Sequence, residues 1–359
     1  MKRYGYLYEK VISVDNLELA DAKARRGKTS TYGVRLHDKH RAEHIAALHE
    51  ALRTKTYKTS PYSVFTIYEP KERLIYRLPY YPDRIVHHAI MNVLEPLFLR
   101  VFTHNTFSCI KGRGIEGCAG YVERLIARYK GRPLYCLKID IKKFYPSIDH
   151  AVMKREVRRL IKDPDLLWLL DEIIDSAEGL PIGNYLSQFL ANLVLCRLMH
   201  RLNERERVDC AEYADDIVVF ADSKERLREV LNVIRGELSE LRLTLKGNWQ
   251  IFPVAENRFD RSGRALDYIG YRFFRRQKLL RKSIKQTFAR AARRLNERTP
   301  APDARAYRQG VAPWLGWALR SNSTHLLQTI IKSEYYESTI RHAAVKIQRR
   351  QERQHLLSV

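Results

Sequence analysis

The chain has 359 residues, of which 65 are Lys or Arg and 41 are Asp or Glu, so its formal net charge is +24. A basic excess of this size indicates a polyanionic partner, and a hydrophobic share of 45% excludes an intrinsically disordered chain. No segment is apolar for long enough to cross a membrane, and the N-terminus lacks the apolar stretch of a signal peptide. Five cysteines without a CxxC spacing fit a reducing cytoplasm, so we expect a cytoplasmic protein without membrane association.

The first third of the sequence predicts helices around one hairpin. Residues 42–52 carry apolar side chains at helical spacing, residues 64–78 alternate as a hairpin with a turn near 69–72, and residues 83–102 form a further helix. The loop Lys111-Gly112-Arg113-Gly114 is a weak signal for contact with a phosphate backbone.

The middle of the chain alternates strands and helices. The pattern predicts a strand at 134–141, one helix at 151–175, a helix at 184–203, a hairpin at 208–221, a helix at 224–241 and a strand at 243–253. This order is that of a split βαβ unit, so we predict an α+β fold with a ferredoxin-like antiparallel sheet. In such a sheet the end of the first strand lies beside the hairpin.

Three carboxylates would meet at this end of the sheet. Asp140 comes near the end of the first strand, and Asp215 and Asp216 lie in the turn of the hairpin between apolar runs. Adjacent carboxylates repel each other, and a cation would neutralise them. Two Mg²⁺ ions, with Mn²⁺ as a substitute, would suit nucleotide transfer, because Mg²⁺ prefers carboxylate, phosphate and water oxygens. Taken alone, the Asp-Asp pair would more often be a polar hairpin tip.

The last part of the chain is strongly basic. Eleven Lys or Arg and only one acid, Glu297, lie between Arg272 and Arg298. A solvated helix face mixes charges of both signs, so this excess indicates contact with phosphates. We expect a helix from just beyond Phe274 to about Arg298, followed by further helical segments to about residue 350.

Several short motifs occur in the order found in one enzyme family. They are Pro70-Lys71-Glu72-Arg73, Leu78-Pro79, Asp83-Arg84-Ile85-Val86, Phe107-Ser108, the strand ending at Asp140, Tyr213-Ala214-Asp215-Asp216 and Asp267-Tyr268-Ile269-Gly270-Tyr271-Arg272-Phe273. Over about residues 62–330 the chain therefore resembles a reverse transcriptase. The resemblance implies a right-hand polymerase whose parts are an N-terminal helical, basic extension at 1–60, fingers at 61–133, a palm at 134–274 with some fingers elements at about 151–205, and a helical, basic thumb and C-terminal tail at 275–359.

The resemblance also implies roles for individual residues in the palm. Asp140, Asp215 and Asp216 would be the catalytic carboxylates, and together with the Ile141 carbonyl they would hold the metal ions. Tyr145 would lie under the incoming sugar and exclude a 2′-hydroxyl, so that dNTPs are preferred. The alternative for Tyr145 is a core aromatic beside its neighbour in the sequence.

Basic residues would bind phosphates at three places. Lys71 and Arg73 would bind the triphosphate, with Arg77 as a competing candidate. The late lysine that relatives often carry in the motif around residues 243–250 is missing here, and Lys246 either substitutes for it as the general acid for the leaving pyrophosphate or is a surface lysine. The residues predicted to contact nucleic acid are Lys111, Arg113, Arg275, Arg276, Lys282, Lys285, Arg293 and Arg294.

The segment Gly179–Gln188 departs from most of the family. Ile182 stands in place of the Gln of a Pro-Gln-Gly motif, and Gln188 in place of the Pro of a Ser-Pro pair. This pattern resembles the reverse transcriptases of diversity-generating retroelements, within the bacterial and phage group II intron-like family. It implies error-prone copying at template adenines for mutagenic retrohoming, with Ile182, Gly183 and Gln188 at the nucleotide. The alternative is that Ile182 packs under the base pair without changing selectivity.

The resemblance further implies template RNA, dNTPs, cDNA and the RNA–DNA duplex as ligands, a small basic accessory variability protein as an oligomeric partner, and the cytosol of a bacterial host. A retron, group II intron-like or defence-associated reverse transcriptase of ordinary fidelity is the alternative, although the Asn-Ala-x-x-His and Val-Thr-Gly blocks of retron enzymes do not occur. A non-catalytic RNA-binding protein on a palm scaffold is more distant, because it would be expected to lack at least one of the three Asp residues.

Overall fold

The computed structural model describes residues 3–68 and 72–355. The chain divides into two compact units, the first made of residues 1–110, 138–218 and 228–249 and the second of residues 111–137, 219–227 and 250–359. The four-part division into extension, fingers, palm and thumb stays a prediction. In the part of the chain that the structure describes, no helix has the length and apolar character needed to cross a membrane.

Helices make up most of the chain. In chain order they are α1 (Tyr8–Ile12), α2 (Val14–Ala24), α3 (Tyr32–Lys39), α4 (Arg41–Arg53), α5 (Ile85–Val101), α6 (Ile115–Ala127), α7 (His150–Leu160), α8 (Pro164–Ile174), α9 (Tyr185–His200), α10 (Lys224–Glu240), α11 (Lys282–Asn296), α12 (Ala304–Leu319), α13 (Thr324–Ile330) and α14 (Ser333–His355). Short helical turns occur at Tyr80–Arg84, Tyr145–Ser147 and Arg201–Arg205.

The strands form three sheets. They are β1 (Ser63–Tyr68), β2 (Glu72–Arg77), β3 (Tyr135–Asp140), β4 (Asp209–Tyr213), β5 (Asp216–Ala221), β6 (Gln250–Pro253), β7 (Leu266–Tyr268), β8 (Tyr271–Phe273) and β9 (Lys278–Leu280). The predicted first hairpin is confirmed, because β1 and β2 pair antiparallel from Ser63 opposite Arg77 to Tyr68 opposite Glu72. The four-stranded sheet has the order β4-β5-β3-β6, and β7-β8-β9 form an antiparallel sheet.

Burial explains why the central strands form where they do. Ile217, Val218, Val219 and Phe220 of β5 are all buried, as are Cys136, Leu137 and Ile139 of β3. A strand with successive buried apolar residues is covered on both faces, which fixes its register against its neighbours. The polar residues that end β3 and begin β5 are therefore held at the edge of a rigid layer.

The single helix predicted at 151–175 is wrong, because the chain breaks between α7 and α8. Pro164 is the first residue of α8, and Asp163 caps that helix, a combination that favours a helix start. Just before the break, the Tyr4 amide donates to the Leu160 carbonyl and the Lys162 amide donates to the Tyr4 carbonyl, both at 2.8 Å. Pairing with a distant segment therefore replaces the helical hydrogen bonds at this point.

Two further expectations are corrected in the second half of the chain. The strand expected at 243–253 is present only at Gln250–Pro253, because residue 242 has a positive φ of 56° and residues 243–249 form a loop. The basic helix expected just beyond Phe274 begins only at Lys282. Before it, the Phe274 amide donates to the Gln277 carbonyl at 2.8 Å, closing a tight turn between β8 and β9.

The carboxylate of Asp163 joins two helix starts in the first unit. It accepts hydrogen bonds from the amides of Leu7 and Tyr8 at 2.6 and 3.0 Å, and from those of Asp165 and Leu166 at 3.2 Å each. These backbone donors outweigh the cost of burial and lower the pKa of the Asp163 carboxyl. One side chain thereby fixes the N-terminal segment against α8.

We predict that Asp163→Ala lowers the free energy of unfolding by about 2–4 kcal/mol, because four backbone donors lose their acceptor. Asp163→Asn should lose less, since its amide oxygen still accepts. Urea unfolding followed by circular dichroism measures both. Equal stability of the alanine variant and the unchanged protein would contradict this role.

Candidate active site at the end of strand β3

Adjacent strands bring two of the predicted carboxylates together. Asp140 is the last residue of β3, and Asp216 is the first residue of β5, the strand next to β3. The Ile141 amide donates to the carbonyl of Asp215 at 3.4 Å, which joins the end of β3 to the turn between β4 and β5. Asp140, Ile141, Asp215 and Asp216 therefore lie together in the first unit.

The turn that carries Asp215 has an unusual backbone. Ala214 has a φ of 56°, which is uncommon for a residue with a side chain and costs about 1–3 kcal/mol when the surroundings enforce it. Alanine has the smallest side chain of all residues other than glycine, so the steric cost of a positive φ is low for it. The strain places Asp215 between two rigid strands, and such outliers concentrate at functional sites.

The carboxylates of this turn repel each other. Burial raises the pKa of Asp215 well above its usual range, and the nearby charges of Asp140 and Asp216 raise it further. The two oxygens of the Asp140 carboxylate have different surroundings. Oδ2 accepts from Lys246 Nζ at 2.5 Å, whereas Oδ1 is buried without a partner. An additional cation would satisfy the free oxygen and relieve the repulsion.

These residues fit a divalent metal, although the protein supplies only part of a coordination sphere. Within residues 3–68 and 72–355, no group of three or more His, Cys, Asp or Glu side chains is placed to hold a metal by itself. Asp140 and Asp215 nevertheless provide hard oxygen ligands, and phosphate oxygens of a nucleotide with water would complete an octahedral Mg²⁺ shell. A half-built site of this kind depends on its substrate for the remaining ligands.

Backbone pairing between the end of β3 and the loop at 243–249 positions Lys246 beside Asp140, and the sequence position of Lys246 does not reveal this pairing. Ile141 and Leu245 form an antiparallel bridge, and the Lys246 amide donates to the Asp140 carbonyl at 2.9 Å. The loop that replaces the expected strand thus aligns Lys246 with Asp140. Of the two predictions for Lys246, this contact favours a place at the site, whereas its role as general acid stays a prediction.

Tyr145 lies in the helical turn that follows β3. Burial raises the pKa of its hydroxyl, with a smaller contribution from nearby groups that include Cys109 and Asp215. Its ring meets the Phe144 ring edge to face, with centroids 5.5 Å apart. This contact is the one expected if Tyr145 is a core aromatic beside its neighbour in the sequence. Tyr145 follows Asp140 by five residues, and the charge of Asp215 contributes to raising the pKa of its hydroxyl, so both predictions for Tyr145 stay open.

The segment Gly179–Asn184 passes between Tyr145 and the hairpin β1–β2. A side chain at Gly179 (φ 60°) would lie 2.6 Å from the Tyr145 carbonyl, and one at Gly183 (φ 122°) would lie 2.5 Å from the Tyr76 carbonyl. Both positions therefore require glycine. Ile182 is half-buried, and its carbonyl accepts from the Tyr76 amide at 2.8 Å. Gln188 follows in the first turns of α9.

The structure places the predicted phosphate-binding residues in different regions. Lys71 lies outside the described residues, whereas Arg73 and Arg77 are exposed on β2 in the first unit. The second unit contains Lys111, Arg113, Arg275, Arg276, Lys282, Lys285, Arg293 and Arg294. Arg275 is engaged within that unit, where it pairs with Glu256 at 2.9 Å and donates to backbone carbonyls. Their contacts with nucleic acid stay predictions.

Sequence reasoning missed Glu212, which lies three residues before Asp215. Its side chain is fully buried in β4, and Oε2 accepts from the Thr106 hydroxyl at 3.0 Å, while Oε1 has no partner. Burial raises the pKa of Glu212 to about 8, so the carboxyl is mostly protonated at neutral pH. The position of this glutamate next to the apolar residues Cys210 and Ala211 was the available signal.

With this geometry in place, comparison with known proteins defines the class. The strands, the carboxylate turn and the flanking helices are those of a polymerase palm, and residues 69–251 match the family described as reverse transcriptase (RNA-dependent DNA polymerase). This match covers just over half of the chain, and the chain belongs to this family.

The similar proteins include two bacterial enzymes. The retron Se72 reverse transcriptase of Salmonella heidelberg (strain 579083-10) is 25% identical over 187 residues, which are 49% of this chain and 45% of that one. The retron Ec73 reverse transcriptase of Escherichia coli is 26% identical over 205 residues, which are 53% of this chain and 59% of that one. The chain thus spans about half the length of these relatives.

A solved structure shares the fold. The apo telomerase from Candida tropicalis superposes with a TM-score of 0.50 at 10% identity, over 80% of this chain and 60% of that one. The predicted α+β right-hand polymerase fold is confirmed by this similarity and by the family match.

We predict that stability falls as the pH rises from about 4.5 to 8, because Glu212 has a pKa of about 8 when folded against an ordinary value of 4.5. In this window the folded protein binds one proton more than the unfolded chain. The contribution of Glu212 to the free energy of unfolding is therefore complete below pH 4.5 and lost as the pH rises past 8. The slope from one group is about 1.4 kcal/mol per pH unit.

Glu212→Gln should remove this slope, since its amide cannot ionise. Urea unfolding at several pH values measures it, with Glu240→Gln on the exposed surface as the control. If Glu212→Gln and the unchanged protein have parallel stability profiles from pH 5 to 8, Glu212 is not protonated on folding.

Proposed function

We propose that this protein is an RNA-directed DNA polymerase that copies a template RNA into cDNA by metal-dependent nucleotidyl transfer. The observation that carries this proposal is the joining of Asp140 and Asp215 by adjacent strands, within the segment that matches the reverse transcriptase family. A palm that only binds RNA would have no need for a repulsive carboxylate pair beside a strained turn.

In the proposed reaction, the primer 3′-oxygen forms a bond to the α-phosphorus of a dNTP, and the bond from that phosphorus to pyrophosphate breaks. Asp140 and Asp215 would hold two Mg²⁺ ions, with Asp216 and the Ile141 carbonyl in support. Bound there, Mg²⁺ would lower the pKa of the attacking hydroxyl and neutralise phosphate charge. Lys246, held beside Asp140, would deliver a proton to the leaving pyrophosphate.

Substrate selection is assigned to the residues around the Gly179–Asn184 segment. Tyr145 would exclude a 2′-hydroxyl, and Ile182 with Gly183 would support the nascent base pair, with Gln188 nearby. Arg73 and Lys71 would close on the triphosphate from the hairpin, and Arg77 on the same strand competes for that role. The exposed cations Lys282 and Lys285 begin a helix suited to tracking phosphates of the RNA–DNA duplex.

The subtype has two alternatives, and the comparisons support the retron-like one better. The retron relatives favour a retron-like enzyme of ordinary fidelity, even though two retron sequence blocks are absent. Ile182, at a position where most of the family carries Gln, favours error-prone copying in a diversity-generating retroelement. An apolar side chain cannot hydrogen-bond near the base pair, and loss of a polar constraint lowers discrimination.

The accessory protein implied by the second alternative would be basic, like this chain. Two basic proteins repel unless a polyanion lies between them, so we propose that template RNA joins them. The proposed place of action is the cytosol of a bacterial host.

We predict that Asp215→Asn with Asp216→Asn reduces cDNA synthesis to background while RNA binding is retained, because only metal ligands change. Primer extension with Mg²⁺ and dNTPs measures synthesis, and filter binding measures RNA affinity. Asp209→Asn, at the far end of β4, is the matched control and should keep activity. Synthesis at the normal rate by the double variant would overturn the assignment of this site.

We predict that Ile182→Gln lowers the error frequency at template adenines by about tenfold, because a polar contact to the pair is restored. Sequencing of cDNA from a defined RNA gives this frequency for both proteins. Accurate copying by the unchanged protein would favour the retron-like alternative. Equal, high error in both proteins would show that Ile182 only packs against the pair.

A further inference from the structure

Tyr62 lies at the entrance to strand β1, and its hydroxyl joins two distant parts of the first unit. Asn184 Nδ2 lies 2.9 Å from the Tyr62 hydroxyl, and Ser176 Oγ lies 2.8 Å from it. The Tyr62 ring also meets the Tyr76 ring edge to face at 5.6 Å. Tyr62 therefore contacts the hairpin through its ring and the start of α9 through its hydroxyl.

The direction of each hydrogen bond in this network follows from proton counting. Ser176 Oγ donates its only proton to the Ile173 carbonyl at 2.6 Å, so it must accept from Tyr62. Tyr62 then donates to Ser176 and accepts from the Asn184 amide. The result is a one-way chain from Asn184 through Tyr62 and Ser176 to a backbone carbonyl, in which each bond strengthens the next.

The Asn184 side chain takes part in this hydrogen-bond network and does not cap its own helix. It is the N-cap of α9, where an Asn side chain ordinarily accepts a hydrogen bond from the first turn, yet no such bond is present. The side chain is 6% exposed and points its amide at Tyr62 instead. A favourable cap has been replaced by a long-range contact, which indicates a requirement other than helix stability.

The segment that Tyr62 holds in this way is fixed at both of its ends. The Leu180 amide donates to the Tyr145 carbonyl at 2.9 Å, and the Tyr76 amide donates to the Ile182 carbonyl at 2.8 Å. His150 Nε2 lies 3.0 Å from the Gly179 carbonyl. With the two glycines in contact with Tyr145 and Tyr76, the segment acts as a spacer of fixed width between the hairpin and Tyr145.

We propose that Tyr62 is a positioning residue that sets substrate specificity, because it holds this spacer and thereby the distance between the hairpin and Tyr145. The proposal rests on the proposed function, since the spacer would border the pocket for a deoxyribonucleoside triphosphate. Tyr62 itself touches no reacting atom. It acts through Asn184, which precedes α9, and through Tyr76, whose amide donates a hydrogen bond to the Ile182 carbonyl.

Tyr62→Phe tests the proposal, because it removes the hydroxyl and keeps the ring against Tyr76. The Michaelis constant for dNTP should rise about five- to tenfold, the effect of one lost hydrogen bond, while kcat changes by about twofold or less. The preference for dNTP over rNTP, as a ratio of kcat/KM, should fall because Tyr145 is less firmly placed. Ser176→Ala should give a smaller change of the same kind, since Asn184 can still donate to Tyr62.

Tyr8→Phe is the matched control. Tyr8 is a buried tyrosine, whereas Tyr62 is half-buried, and the Tyr8 hydroxyl likewise makes a hydrogen bond. It donates to the Leu52 carbonyl at 2.6 Å, within the N-terminal helices. It should lower stability by a similar amount and leave the Michaelis constant and the sugar preference unchanged. Equal kinetic effects of both variants would reduce Tyr62 to a structural residue and overturn the proposal.

Hydrogen–deuterium exchange of the protein alone separates this proposal from the proposed function. Tyr62→Phe should speed exchange at the Tyr76 amide and in residues 180–190, whereas Tyr8→Phe should not. Unchanged exchange in Tyr62→Phe overturns the proposal, whether or not the protein makes DNA. If the unchanged protein makes no cDNA, the proposed function fails, while the exchange result still decides whether Tyr62 fixes the spacer.

Discussion

The repulsion between Asp140 and Asp215 is the constraint around which the first unit is organised. Two carboxylates in a half-buried position destabilise the fold and would move apart unless rigid surroundings held them together, and here the surroundings are β3, β5 and the turn at Ala214. Lys246 neutralises one oxygen of Asp140 and leaves the other free. The stability lost at this site is offset by the buried apolar strands beneath it, as is common where a site is kept ready for a ligand.

The same rigidity extends to the Gly179–Asn184 segment through backbone contacts. Both glycines are required by close approach, and the groups that fix the segment from outside are the Tyr62 hydroxyl, the Tyr76 amide and the His150 ring. The path of this segment is therefore set by backbone contacts from several elements. A change in any of these elements would move the segment without altering its own residues.

The sequence revealed the parts of the fold that repeat a simple period. The hairpin β1–β2, helices α4 and α5 and the carboxylate turn follow from apolar spacing and turn residues, and the motif order was sufficient for the family. The break at Asp163 was missed because a distant strand-like contact at Tyr4 replaces helical bonds, although Pro164 was a visible sign. Alternating apolar residues in the loop that carries Lys246 predict a strand there, although the residues form a loop.

Contacts between side chains distant in sequence were beyond prediction. Neither the Lys246 contact with Asp140 nor the Tyr62 contact with Asn184 leaves a pattern in a single chain, since each pair is separated by about a hundred residues or more. The identity of the retroelement depends on such details too, because Ile182 and the retron relatives favour different subtypes.

The buried acid Glu212 has a consequence for the local electric field. Residues 209–216 contain four acidic residues, which would add four negative charges to that of Asp140. They are Asp209, Glu212, Asp215 and Asp216. Because Glu212 keeps its proton at neutral pH, one of these charges is absent. Asp209 lies at the far end of β4, so the negative field at the turn originates from the carboxylates proposed to bind a cation, and an incoming polyanion meets less repulsion than the sequence suggests.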